Sequence, residues 1–189
     1  RVLEEQYGPT DEQRLRVYVP AVADRPLPVV VYVHGGGFIG GDLPLIDGIA
    51  RNLAADLPAV AVAVTYRRAP ESVFPAAHDD VREAVAWVRA NIAEYGGDPT
   101  RIAVAGDSAG GTLVTALALN DPEIAAVALV YPLIDPWGTS PTRAEFADGP
   151  VLTDSDLRWF GDTYVPDAAL RDDPRIRLDR APAEQLASF

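Results

Sequence analysis

The sequence predicts an α/β fold, a mostly parallel β-sheet flanked by helices. Two patterns and the length carry that expectation. Four short runs are apolar almost without a break: Pro28 to Val33 (PVVVYV), Ala59 to Thr65 (AVAVAVT), Ile102 to Ala105 (IAVA) and Ala125 to Tyr131 (AAVALVY). This is the texture of strands covered on both faces. Helix-compatible stretches alternate with them, as a parallel sheet requires. At 189 residues the chain is the size of one domain with a substantial core.

Taken in order, Leu15 to Val19 (LRVYV) alternates like a half-exposed strand, and Pro20 ends it. Residues 21–28 form a turn before the first buried strand, which runs into HGGGFIGGD (His34 to Asp42), a glycine-dense loop. Pro44 to Asp56 follows as a helix with Leu45, Ile46, Ile49 and Leu53 on one side. The Ala59 strand leads into a loop over Tyr66 to Pro75 (YRRAPESVFP). Ala77 to Tyr95 is the clearest helix, because Val81, Ala84, Val85, Val88 and Ile92 share one face. Gly96-Gly97 stops it. The Ile102 strand, a helix from Ser108 and the Ala125 strand complete the pattern. From Pro132 onward seven prolines punctuate a more polar stretch whose best helix is Asp154 to Tyr164, with Leu157, Phe160 and Tyr164 on one face. This divides the chain into a core over residues 1–135, a cap or lid excursion over 136–170, and a return segment over 171–189.

Composition narrows the chemistry. The net charge is −12, every basic residue is Arg, and Cys and Met are absent. Strong negative charge argues against nucleic acid or an anionic membrane as partner. Without Cys there are no disulfides, thiolate nucleophiles or zinc–thiolate sites. The two histidines, His34 and His78, are far apart in sequence and do not suggest a metal site, so no metal or cofactor is expected. No apolar run approaches the roughly 18 residues of a spanning helix, and no signal peptide is visible, which makes the cytoplasm the default compartment. The Ala-, Arg-, Pro- and Gly-rich, Lys-free composition fits a GC-rich bacterial gene.

Two motifs carry chemistry. In Arg101 to Thr112 (RIAVAGDSAGGT), a strand-like run stops at Gly106, Ser108 sits at the apex, and a helix-compatible run follows. Strand, tight turn with serine, then helix is the pattern of a nucleophile elbow. A side chain at Gly106 or Gly110 would collide across such a turn. The plainer alternative is a Gly/Ser turn with Ser108 as helix N-cap. The second motif, His34-Gly35-Gly36-Gly37-Phe38, leaves backbone N–H groups sterically open, as stabilisation of a tetrahedral oxyanion requires. It lacks the Lys and Ser/Thr of a phosphate-binding loop and the spacing of a dinucleotide fingerprint. The two motifs together are far more specific than either alone.

HGGGF, YRRAPE, FPAAHDD, GGDPTRIAVAGDSAGG and VYPLID occur in the order found in one family. The chain resembles the hormone-sensitive-lipase-like (family IV) branch of the α/β-hydrolases, bacterial carboxylesterases, over essentially its whole length. The resemblance implies an α/β-hydrolase fold and cleavage of small carboxylic esters of short to medium acyl length, without a cofactor. It implies Ser108 as nucleophile, the N–H groups of Gly36, Gly37 and Ala109 as the oxyanion hole, and His34 and Gly35 as supports of the oxyanion loop. Arg68 stands where the family usually has Leu, and Thr112 where Asn is common; neither is expected to touch the chemistry. A ligand-binding relative without activity, or a hydrolase of amides or lactones, would share these motifs.

The family's triad runs Ser, then Asp or Glu, then His. No His follows Ser108, His78 is expected at the surface of its helix, and Asp135 reads as the end of VYPLID rather than the acid. The triad acid and base are therefore expected outside this chain. With no initiating Met and an end at Phe189, where the family would enter its next strand, the chain is expected to be an internal fragment, truncated before the last strands. Oligomeric state is not readable from these residues.

Overall fold

A computed structural model describes residues 1–21 and 25–186. Strands β1 (Val2–Gln6), β2 (Arg14–Tyr18), β3 (Leu27–Val33), β4 (Val60–Val64), β5 (Gly97–Asp107) and β6 (Ile124–Val130) form one sheet in the order β1-β2-β4-β3-β5-β6. The pairs β4–β3, β3–β5 and β5–β6 are parallel, while β1–β2 and β2–β4 are antiparallel. The sheet is mixed, with its parallel part at the centre. The expected turn over residues 21–28 falls partly on residues 22–24, which lie outside the described residues.

Alternation along the strands explains the three layers. Val60, Val62 and Val64 of β4 point with Val29, Val31 and Val33 of β3 to one face, where α2 (Ala76–Asn91) and α3 (Ser108–Ala118) supply Val81, Val85, Val88, Leu113 and Val114. Ala61 and Ala63 point to the other face, with Tyr18, Tyr32 and Ala105, and meet α1 (Leu43–Asp56) through Leu43, Ile46 and Ala50. Both faces are covered, so the central strands read as unbroken apolar runs.

The structure departs from the sequence pattern at three places. Helix α1 starts at Leu43, capped by the Asp42 carboxylate, and buries the face of Leu43, Ile46 and Ala50; Leu45 and Ile49 are exposed. Strand β6 is largely exposed rather than buried on both faces; among the described residues it pairs only with β5, at the edge of the sheet. Only Ile124 and Val127 of β6 pack on the core, while Leu129 and Val130 are exposed. His78 is buried, because its end of α2 lies against Tyr164 and Arg175, which the sequence spacing gave no means of placing there.

The stretch after β6 holds α4 (Pro141–Glu145) and α5 (Asp154–Tyr164). Thr153 and Asp156 form a reciprocal capping box that starts α5. The far end of α5 enters the core: Tyr164 and Val165 are fully buried, and Tyr164 stacks on Phe38 at 4.3 Å between ring centroids.

Candidate active site

The chain changes its direction of travel across the sheet at β3, going first to β4 and then back past β3 to β5. Outside the carboxyl ends of parallel strands at such a reversal is where open α/β sheets bind ligands. Val33 pairs with Gly106, so the segments leaving β3 and β5 emerge side by side. The first is the glycine loop from His34, the second begins with Ser108. They touch: a Cβ built on Gly35 would lie 3.0 Å from Ser108 Cβ.

Ser108 follows the last residue of β5 and opens α3 with no connecting residue, at φ +49°. A non-glycine residue in the left-handed region is strained. The flanking glycines permit the turn. A Cβ on Gly106 would sit 2.6 Å from the Gly110 carbonyl, and one on Gly110 would run into the Val33 carbonyl oxygen. Ser108 is not the N-cap; Asp107 occupies that position and makes no capping hydrogen bond. Its carboxylate is engaged elsewhere: Oδ1 accepts from the Tyr32 hydroxyl at 2.8 Å and from the Gly35 N–H at 3.0 Å. The first-turn N–H groups of α3, Ala109 among them, have no side-chain cap. They carry the partial positive charge of a helix N-terminus.

In the glycine loop, Gly36 (φ +119°), Gly37 (φ +62°) and Phe38 (φ +66°) take positive φ in succession. The Gly36 carbonyl turns back to accept from Ile39 N–H at 3.1 Å and Gly40 N–H at 2.8 Å. Gly37 lies directly under the Phe160 ring of α5, which a Cβ there would meet at 2.5 Å. Thus α5 covers the loop next to Ser108.

His34 is buried beneath this loop. Its Nδ1 faces the Gly35 carbonyl at 2.6 Å, which only accepts, so Nδ1 carries the proton and Nε2 accepts from Thr65 Oγ1 at 3.2 Å. The ring stacks on Tyr66 at 4.5 Å, and burial pushes its pKa below the ordinary value. The other imidazole is locked in the opposite tautomer. His78 Nε2–H donates to the Arg175 carbonyl at 3.0 Å, and Nδ1 accepts from the Tyr164 hydroxyl at 2.9 Å. Burial lowers its pKa to about 4. Both rings are neutral scaffolding, with each nitrogen engaged by a group other than Ser108. Asp135 is held by Arg177 at 3.1 Å and by the Trp137 N–H at 2.8 Å.

The residues singled out in the sequence, Ser108, Gly35, Gly36, Gly37, Ala109 and His34, converge at one point of the sheet. Sequence reasoning missed Asp107, whose place in the GDSAGG motif was visible but whose partners Tyr32 and Gly35 lie more than 70 residues away. It also missed Asp80. That fully buried carboxylate holds the Arg67 guanidinium, with contacts down to 2.6 Å, and accepts from the Gln13 amide at 2.9 Å. A cavity of about 500 Å³ opens elsewhere, between α2, α3 and residues 173–182, and none of the converging residues lines it.

The chain is similar to known proteins in sequence and in fold. The chain is 42% identical over 175 residues to "Carboxylesterase NlhH" of Mycobacterium tuberculosis, covering 89% of this chain and 54% of that protein. It is 37% identical over 170 residues to "Ethyl acetate hydrolase" of Pseudomonas putida, covering 86% of this chain and 54% of that one. The crystal structure of a hyperthermophilic esterase from the archaeon Pyrobaculum calidifontis superposes with a TM-score of 0.88 at 37% identity, covering 96% of this chain and 62% of that chain. The chain thus spans about half the length of the curated relatives it matches. Residues 30–189, most of the chain, match the family model described as alpha/beta hydrolase fold, and the chain belongs to that family.

Proposed function

We propose that this chain carries the nucleophile and oxyanion hole of a serine carboxylesterase of the hormone-sensitive-lipase-like branch. One observation carries the reading: Ser108, at φ +49°, stands against the Gly35–Gly37 loop at the Val33–Gly106 register of β3 and β5. Ser108 Oγ attacks the acyl carbon of an ester and its proton passes to a histidine base. The N–H groups of Gly36, Gly37 and Ala109 hold the negative oxygen of the tetrahedral intermediate. The alcohol leaves with that proton, and water then hydrolyses the acyl-enzyme by the reverse sequence. His34 and His78 have both ring nitrogens engaged, so the base and its acid partner are assigned to residues outside these 189.

Residues 136–170 act as part of a cap over a core formed by residues 1–135, with Phe160 resting on Gly37 beside the reacting carbonyl. Short acyl groups fit this reading, as does the ethyl acetate named for one relative. Among the described residues no helix is long and apolar enough to cross a membrane, which suits a cytoplasmic esterase. The test is turnover of p-nitrophenyl acetate by the intact gene product and by its Ser108→Ala variant. Loss of about 10⁴-fold or more in kcat is expected; turnover unchanged by the substitution would overturn the proposal.

A further inference from the structure

We propose that Arg68 is a positioning residue for the oxyanion loop, clamping its far end through the Gly41 carbonyl. The proposal rests on reading His34–Gly41 as that loop. A glycine-dense segment is costly to order, and an oxyanion hole works only when its donors are held within about 0.5 Å of their place. Something outside the loop must fix it.

The segment after β4 does so at successive points. The Tyr66 hydroxyl donates to the His34 carbonyl at 2.9 Å, and the Ala69 N–H donates to the Phe38 carbonyl at 3.0 Å. Arg68 Nη1 donates to the Gly41 carbonyl at 2.6 Å while its Nε pairs with Glu12 at 2.7 Å. The clamp has its own foundation. Arg67 is bound to buried Asp80 through backbone N–H and guanidinium, and the Thr65 carbonyl accepts from the Tyr7 hydroxyl at 2.7 Å. Arg68 is therefore fixed from behind and imposes its position on Gly41.

Gly41 in turn bears on the oxyanion donors. At φ +102°, Gly41 lies so close to the His34 ring that a Cβ there would collide with Nδ1, and that ring holds the Gly35 carbonyl through Nδ1. Displacement of Gly41 shifts His34, then Gly35, then the N–H groups of Gly36 and Gly37. Arg68 spans two partners because the guanidinium presents separate donors in a rigid fork; a Lys ammonium offers one point charge on a flexible stem, and Leu offers no donor.

The experiment compares R68L, R68K, E12Q and S108A in the intact gene product. It measures kcat and KM for p-nitrophenyl acetate, inhibition by a trifluoromethyl ketone ester mimic, and thermal melting. The ketone forms an oxyanion on the serine, so its affinity reports the hole itself. For R68L, kcat is expected to fall about tenfold, KM to stay within about twofold, and ketone affinity to fall by the same factor as kcat. R68K should recover part of the loss, and E12Q should lie between wild type and R68L. If R68L keeps wild-type kcat and ketone affinity while S108A is inactive, the serine reading stands and the clamp is wrong. Should R68L fail to fold, E12Q decides: parallel losses in kcat and ketone affinity support the clamp, and unchanged values overturn it. Turnover surviving in S108A would remove the proposal together with the reading beneath it.

Discussion

Asp107 offers the sharpest test of how the two halves of the site are joined. Its Oδ1 holds both the Tyr32 hydroxyl and the Gly35 N–H, so one carboxylate ties β3, the glycine loop and the elbow together. Hydrogen bonds to a charged group contribute roughly 1.5–3 kcal/mol each. Asp107 is only partly buried, so the lower end applies and the pair sums to about 3 kcal/mol. If that energy serves to hold the Gly36 and Gly37 donors where the oxyanion forms, its loss is worth about 10²-fold in kcat. Asp107→Ala in the intact gene product should therefore lower kcat by about that factor with KM little changed. Asp107→Asn, which keeps an acceptor oxygen but not its charge, should lose only about tenfold. The assay is steady-state hydrolysis of p-nitrophenyl acetate, with denaturant unfolding to measure stability alongside. A D107A enzyme within threefold of wild type in kcat, or one whose loss falls entirely in KM, would refute the reasoning.

Gly110→Ala should be among the most damaging small substitutions, because the new methyl meets the Val33 and His34 carbonyl groups and neither strand nor elbow can yield. We expect a loss of about 3 kcal/mol or more in chemical denaturation, whereas Gly48→Ala, on α1 with open space around it, should be neutral or stabilising. His78 makes stability depend on pH. Its folded pKa near 4 lies below the ordinary 6.5, so the unfolded chain takes up the proton first. The His78 contribution, complete above about pH 6.5, should be lost as pH falls toward 4, by about 3 kcal/mol in all. His78→Gln, able to accept from Tyr164 and donate to Arg175, should flatten that slope in denaturant midpoints taken from pH 7 to 4; an unchanged slope would count against the assignment.

The layered core was legible because β3, β4 and the Ile102–Ala105 part of β5 are apolar without a break, as strands covered on both faces are. Strand β4, VAVAV, even encodes the two faces, with valines toward α2 and α3 and alanines toward α1. Strand β1, VLEEQ, was missed because it is an antiparallel edge strand whose side chains are half or fully exposed, leaving no strong pattern. The sequence places the start of α1 one residue late and puts Ile46 and Leu53 correctly, but Leu45 and Ile49 incorrectly, on its packed face. Ala50 packs there and Ile49 does not because the helical period brings Leu43, Ile46, Ala50 and Leu53 to the sheet side.

In the candidate site, Ser108 and the glycines could be singled out from sequence because their pattern is local. The supports could not. Asp107 with Tyr32, Arg67 with Asp80 and Arg68 with Gly41 are pairs whose meaning lies in a distant partner. Likewise nothing in the spacing of His78 announces that Tyr164, 86 residues on, will bury it.

The most direct test of the central claim is chemical. The intact gene product is treated with a fluorophosphonate, digested, and the labelled peptide identified by mass spectrometry. The account predicts one phosphonyl group per chain, on Ser108, formed rapidly and lost in Ser108→Ala. A label on another residue, or no label in a protein that still hydrolyses p-nitrophenyl acetate, would contradict it.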